Sequence, residues 1–135
     1  MGSYPHTIEN GAGERLTFIR VVRDPAGAWL EVENTVKPGA GPPMHVHHRQ
    51  EEALTVQEGR LAYQEPGEDA RYAVEGETVV FKAGVPHRFW NPGSRDLRCR
   101  GYVRPADSLE YFLTEIYASQ RRNGGTRPGI RTPAG

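Results

Sequence analysis

Apolar and polar residues alternate along several short segments of the chain, with the period of two that is typical of a strand buried on one face. The clearest case is segment 97–104, where Leu97, Cys99 and Val103 share one face and Arg98 and Arg100 the other. Turns rich in glycine, proline and aspartate separate such segments. The pattern predicts strands at 16–23, 29–36, 53–58, 60–65, 71–74, 78–82 and 97–104, and strand-like segments around His45 and after His87.

The period changes near the C-terminus. Asp107 and Glu110 have the spacing of a helix capping box, and the apolar residues that follow recur at helical intervals. This apolar stripe consists of Leu109, Phe112, Leu113, Ile116 and Tyr117. We therefore expect an all-β barrel over residues 14–106 and one amphipathic helix over 107–123. Residues 1–13 and 124–135 lack any period, and we expect a flexible N-terminal arm and a flexible tail.

Composition narrows the class of protein. The length of 135 residues suits a single domain, and 16 glycines and 11 prolines suit a fold with many turns. Basic and acidic residues balance at 17 each, so no net charge favours nucleic acid or an anionic membrane. No apolar run is long enough for a membrane span, and no signal peptide is evident. Cys99 is the only cysteine, so the expected location is cytoplasmic.

The first cluster of chemically active residues lies in the middle of the chain. His45 and His47 are two residues apart, so an extended backbone would present both imidazoles on the same face. Glu52 follows at the start of an apolar run. Gly39 precedes His45 by six positions, and Gly59 follows Glu52 by seven. The spacing is G-x5-H-x-H-x4-E-x6-G.

A second cluster contributes another histidine. Gly76, Gly84, His87 and Asn91 have the spacing G-x7-G-x2-H-x3-N. Three imidazoles and one carboxylate form a ligand set for a divalent first-row transition metal. Iron, manganese, nickel, copper and zinc all remain open, because these residue types do not select among them.

Together the two clusters resemble the two sequence motifs of the cupin superfamily and span residues 39–91. The resemblance implies an antiparallel jelly-roll β-barrel in which His45, His47, Glu52 and His87 hold the ion. It makes Gly39, Gly59, Gly76, Gly84 and Asn91 structural, and it implies that homodimers are common. One position departs from the family's second motif, because Lys82 stands where the family usually has proline. It is not a ligand position, so the departure leaves the implied metal site intact.

Glu51 and Glu52 are adjacent, and an extended chain would direct only one of them toward the histidines. Glu52 is preferred to Glu51 as the ligand because it shares the inward face with Leu54 and Val56; either glutamate is a candidate catalytic base. His48 directly follows His47 and should point away from the site.

Candidate residues for the wall of a substrate pocket are Met44, Phe89, Tyr63 and Tyr102. Phe89 has the same parity as His87, and Met44 precedes the first histidine. For each of them, an ordinary position in the barrel core is the competing interpretation.

The resemblance leaves function open, because cupins include enzymes of many classes as well as binding proteins. The leading hypothesis is a metal-dependent enzyme on a small molecule, such as a dioxygenase acting on an enolisable or hydroxylated substrate. Two alternatives are a redox-neutral isomerase or polyketide cyclase and a cupin that binds a small molecule without catalysis. We expect no nucleic-acid or membrane partner.

Overall fold

The strands of this protein differ in length, from three to eleven residues. The computed structural model describes residues 4–106 and 109–122. Within that part of the chain the elements are β1 (His6–Glu9), β2 (Glu14–Asp24), β3 (Gly27–Val36), β4 (Glu51–Glu58), β5 (Leu61–Gln64), β6 (Arg71–Ala73), β7 (Thr78–Phe81), β8 (Arg88–Trp90), β9 (Leu97–Arg104) and α1 (Leu109–Arg122).

The strands form two antiparallel sheets. One has six strands in the order β1-β2-β3-β9-β4-β7, and the other has three in the order β6-β5-β8. Strand β9 therefore lies between β3 and β4, which are far from it in the sequence. This is the jelly-roll barrel that the alternating pattern and the resemblance predicted, and the all-β fold class with one C-terminal helix is confirmed.

The buried apolar residues form two clusters. The first lies between the two sheets and includes Leu54, Leu61 and Phe81. The second surrounds Phe18 on the long β2–β3 pair, and the helix side chains Leu113 and Tyr117 pack against it. These two side chains of α1 thus pack against their own barrel. The side chains of the other stripe residues (Leu109, Phe112 and Ile116) lie outside the described residues, as does the predicted tail 124–135.

The N-terminal segment is more ordered than its sequence pattern indicated. Instead of a loose arm over residues 1–13, the described part contains β1, which pairs with β2 from His6 to Glu9. The turn after it is fixed by Asn10, whose Oδ1 accepts hydrogen bonds from the backbone N–H groups of Ala12 and Glu14. In addition, the Arg121 guanidinium donates to the backbone carbonyl of Glu9. A four-residue strand is too short to show a period in the sequence.

The segment that carries His45 and His47 is extended but is not a regular strand. Its sheet pairing is one antiparallel bridge between His45 and His87, with backbone N···O distances of 2.9 and 2.8 Å. Pro42 and Pro43 precede it, and proline has no N–H to donate to a ladder. The predicted metal strand is therefore a short bridge, although the alternation of side chains holds.

The motif glycines are turn residues. Gly39, Gly59, Gly76 and Gly84 all have φ between 79° and 90°, in the left-handed region that other residues rarely adopt. At Gly59 a side chain would also be crowded, because a Cβ atom would lie 2.9 Å from the carbonyl oxygen of Asp96. These turns set the ends of the strands that carry the candidate ligands.

The outer face of the large sheet carries paired charges. Arg98 lies 3.5 Å from Glu33, and Arg100 lies 2.8 Å from Glu31. The exposed arginines of β9 are therefore matched by acidic residues on β3. In the described part of the chain, no helix has both the length and the apolar character needed to cross a membrane.

Candidate metal centre

Four side chains converge at one end of the barrel: His45, His47, Glu52 and His87. Their nearest ligand atoms all lie within 4.8 Å of one another. His45 and His47 come from the extended segment, Glu52 from β4, and His87 from the residue just before β8. The bridge between His45 and His87 brings the two sequence clusters together. All four predicted ligands thus share one site.

The imidazole rings are oriented by backbone carbonyls. His45 Nδ1 lies 2.7 Å from the carbonyl oxygen of Pro43, and His87 Nδ1 lies 3.1 Å from that of Val85. A carbonyl can only accept, so each Nδ1 carries the proton and each Nε2 keeps a lone pair. This is the usual orientation of histidines that bind a metal through Nε2.

The His87 ring is the most enclosed member of the set. The residue is 1% exposed, and its ring stacks on Phe81 with a centroid distance of 4.1 Å and an interplanar angle of 10°. Its Nε2 is buried, with no hydrogen-bond partner among the described residues, and lies 3.8 Å from Glu52 Oε1. A buried lone pair without a donor fits a site that binds a cation.

Burial also sets the charge state of the site. Removal from water lowers the pKa of His45 and of His47, so both imidazoles are neutral at pH 7. Burial opposes ionisation of Glu52, but the closeness of the His87, His47 and His45 rings outweighs it, and the pKa of the Glu52 carboxyl is lowered. Neutral imidazoles and an ionised carboxylate are the forms that bind a divalent ion.

The neighbouring residues point elsewhere. Glu51 accepts a hydrogen bond of 2.9 Å from the hydroxyl of Tyr102, on the opposite face of β4 from Glu52. His48 is exposed to solvent. The parity of an extended chain accounts for both, because adjacent side chains leave it in opposite directions. Of the two candidate bases, only Glu52 belongs to the cluster.

A cavity of about 290 Å³ adjoins the cluster. Its walls are mostly apolar and come from β2, β3, β4, β8, the extended segment and α1. The lining residues are Glu14, Leu16, Asn34, Pro42, Pro43, His45, Val46, His47, Glu52, Phe89, Leu113, Tyr117 and Gln120. An ion held by the four side chains would therefore have a pocket for a small molecule beside it.

One of the four predicted pocket residues lines this cavity. Phe89 does so, buried on β8. Met44 is 40% exposed and points outward, because it directly precedes the inward-facing His45. Tyr63 packs against the core beside Phe81, with ring centroids 6.2 Å apart. Tyr102 lies on the outer face of β9, where it bonds Glu51.

Three polar residues in the cavity wall were not predicted. Glu14, Asn34 and Gln120 are all buried, on β2, β3 and α1. The sequence pattern places two of them, Asn34 and Gln120, at inward-facing positions. Asn34 has the parity of the inward-facing Val32 and Val36, and Gln120 lies three residues after Tyr117 on the apolar side of the helix. A polar residue at an inward position indicates either a hydrogen-bond network or a ligand.

Asn91 holds the turn that follows the His87 segment. Its Nδ2 donates to the carbonyls of Val36 (2.9 Å) and Arg95 (2.7 Å), and its Oδ1 accepts from the N–H of Gly93 at 2.8 Å. The side chain contacts none of the four candidate ligands. Its structural role follows from these bonds.

Comparison with known proteins decides the family. Residues 25–102 match the family described as "Cupin domain", which is more than half of the chain. The chain belongs to the cupin family. The fold, the two motifs and the converging histidines agree with that membership.

Two curated fungal proteins are similar in sequence to this cupin. "Probable oxidoreductase virH" of Hypocrea virens is 29% identical over 126 residues, which cover 87% of this chain and 56% of that protein. "Epoxidase atD" of Aspergillus terreus is 29% identical over 117 residues, covering 85% of this chain and 32% of that protein. The cupin thus spans about half and about a third of the length of these relatives.

Among solved structures, KdgF from Halomonas sp. has a similar fold. The TM-score is 0.63 at 17% identity, and the match covers 77% of this chain and 92% of that one. At this identity the likeness concerns the fold alone.

Proposed function

We propose that this cupin is a metal-dependent oxidoreductase of the dioxygenase type, acting on a small enolisable or hydroxylated molecule. The observation that carries the proposal is the junction of the His45, His47, Glu52 and His87 cluster with a largely apolar cavity. Its oxidant would be dioxygen, with both oxygen atoms entering the product, so that no separate reductant is needed.

The residues around the cavity would have three different roles in such a reaction. The three histidines and Glu52 would hold a divalent ion, and a bound ion would polarise a substrate oxygen and, if it were iron or manganese, supply redox chemistry. Phe89, Leu16 and Pro43 would exclude water and hold the apolar body of the substrate. Glu52, ionised next to the cavity, is also the candidate proton acceptor.

Similarity to two proteins named an oxidoreductase and an epoxidase supports oxygen or redox chemistry. Those proteins are longer than the region that this cupin matches. An oxidoreductase activity is therefore proposed for this chain by similarity. The substrate must be identified by experiment.

The direct test is oxygen uptake. The full chain, loaded in turn with iron, manganese, nickel, copper and zinc, would be screened against diketones and flavonols in an oxygen electrode. We expect uptake with a redox-active ion, retained in His48→Ala and lost in His45→Ala. His48→Ala is the matched control, because this histidine is exposed and adjacent to a ligand.

Other outcomes would favour the alternatives. Conversion of substrate without oxygen uptake, with zinc as the effective ion, would identify an isomerase or cyclase. Saturable binding without turnover across all ions would identify a binding protein. Either result would contradict the dioxygenase assignment.

A homodimer and a cytoplasmic location remain proposals. The side chains of Leu113 and Tyr117, on α1, pack on their own barrel and are therefore not available to a partner subunit. Sedimentation of the full chain would determine the oligomeric state, and cell fractionation would determine the location.

A further inference from the structure

Two side-chain amides in the cavity wall have carbonyl oxygens that accept no hydrogen bond from the part of the chain that the structure describes. Asn34 is 8% exposed and Gln120 is 4% exposed. Asn34 Oδ1 and Gln120 Oε1 are buried and have no partner among the described residues. Both residues line the cavity that adjoins the histidine cluster. Buried carbonyl oxygens are normally satisfied, so these two are available to a ligand in the cavity.

Asn34 and the candidate ligand Glu52 lie at different positions along the large sheet. On the inner face of the sheet, Asn34 pairs with Cys99 of β9, whereas Glu52 pairs with Val103 of the same strand. Four residues of an extended strand correspond to about 13 Å. The backbone of Asn34 is therefore offset along the sheet from that of Glu52, although the two residues line the same cavity.

Gln120, on α1, lines the same cavity as Asn34. It follows Tyr117 by three residues, and both line the cavity. The carboxylate of Glu14 also lines it and accepts a hydrogen bond of 2.7 Å from Asn10 Nδ2. Three side chains with oxygen acceptors are thus set among apolar neighbours such as Leu16 and Leu113. Such a surface matches a ligand that is apolar overall and donates hydrogen bonds from one group.

We propose that Asn34 and Gln120 form a recognition site for a hydroxyl group of the ligand, away from the metal centre. The ligand class is an aromatic or alicyclic compound with a hydroxyl on the part that faces these amides. A hydroxyl both donates and accepts, so it pairs with either group of a side-chain amide. The assignment deepens the proposed function and rests on it only for the claim that the ligand is a substrate.

The test uses phenol and toluene, which have similar shapes and differ in the hydroxyl. Calorimetric titration of the full chain would measure both affinities, with zinc bound and after chelator treatment. We expect phenol to bind the parent more tightly than toluene in both states. A purely apolar cavity would give the reverse order, because removing a hydroxyl from water without a partner is unfavourable.

Two variants assign the preference to the amides. Asn34→Leu and Gln120→Met remove the polar groups at similar volume, and each should lower the phenol-to-toluene affinity ratio about five- to tenfold. Gln57→Met, at an exposed glutamine of β4, is the matched control and should leave the ratio unchanged. Because Asn34 and Gln120 lie on different elements, one variant remains informative if the other fails to fold.

The contradicting results are specific. A parent that binds toluene at least as tightly as phenol would overturn the inference. So would a ratio that both amide variants leave unchanged, or a preference that depends on the ion alone, since phenol would then be bound at the metal. If the parent bound no divalent ion at all, the proposed function would be refuted, and a phenol preference measured in that parent would leave this inference standing.

Discussion

At the scale of single residues, the candidate site depends on how each side chain is held. Carbonyls of Pro43 and Val85 hold the Nδ1 atoms of His45 and His87, which leaves the Nε2 lone pairs for the centre of the cluster. The ligands themselves could be predicted because their spacing is local and their alternation is simple. The carbonyl partners could not, since they depend on the path of a backbone with two prolines.

Residues in the cavity wall were harder to predict. Asn34 and Gln120 interrupt otherwise apolar faces, and nothing in the sequence indicates that those two faces meet. Conversely, Met44 and Tyr102 are large enough for a pocket wall, but the chain turns them outward. Residue type and spacing predicted which side chains cluster but did not predict the shape of the pocket, because a cavity forms between elements that are distant in the sequence.

Substitution of Asn91 should destabilise the barrel. Asn91→Ala removes three hydrogen bonds and leaves the carbonyl of Val36 without its side-chain donor, so we expect a loss of about 2–4 kcal/mol in the free energy of unfolding. Asn91→Asp should also destabilise, because it retains only the acceptor for Gly93. Denaturant unfolding would measure both, with Gln57→Ala as a surface control. A loss no larger than that of the control would contradict the role given to Asn91.

The Cys99 thiol should make the protein less stable in alkali. Burial raises its pKa to about 12, from an ordinary value of 9.0. Between these values the unfolded thiol loses its proton while the folded one keeps it, so stability falls as pH rises above 9.0. Relative to Cys99→Ala and Cys99→Val, the free energy of unfolding of the parent should fall by about 1.4 kcal/mol for each pH unit above 9.0. Unfolding curves from pH 7 to 10.5 would measure this, and a constant difference would disprove it.

At the scale of elements, alternation predicted the strands because each sheet has one buried face. It predicted the long β2, β3 and β9 strands and the β5–β6 hairpin, whose pairings are observed. It did not predict β1, which is four residues long, nor the reduction of the His45 segment to a single bridge. A segment as short as β1 has too few residues to show a period. The His45 segment is interrupted because its prolines have no backbone N–H to donate to a neighbouring strand.

The contact of β4 with β9 should tolerate no side chain at Gly101. A Cβ atom there would lie 1.7 Å from the carbonyl oxygen of Ala53, which is backbone and cannot move aside. Gly101→Ala should therefore cost more than about 3 kcal/mol or prevent folding. Gly93→Ala, where the nearest atom would be Asn91 Oδ1 at 3.4 Å, is the matched control. Thermal unfolding that is equal for the two variants would contradict this.

At the scale of the whole molecule, the topology explains why distant sequence motifs meet. Pairing of β9 with both β3 and β4 joins the helix-covered part of the barrel to the strand that carries Glu52. The jelly-roll class could be predicted because the spacing of the two motifs resembles that of a known family. The spacing alone, without that family, does not specify the fold. The docking of α1 over the cavity could not, because an amphipathic stripe specifies that a helix is buried and leaves its partner open.

The central claim is that His45, His47, Glu52 and His87 hold one divalent ion. Metal content by mass spectrometry, on full-length parent, His45→Ala and His48→Ala purified without chelator, tests it most directly. We predict near-stoichiometric metal in the parent and in His48→Ala, and at least a tenfold reduction in His45→Ala. Equal metal content in the parent and His45→Ala, with both proteins folded, would contradict the account.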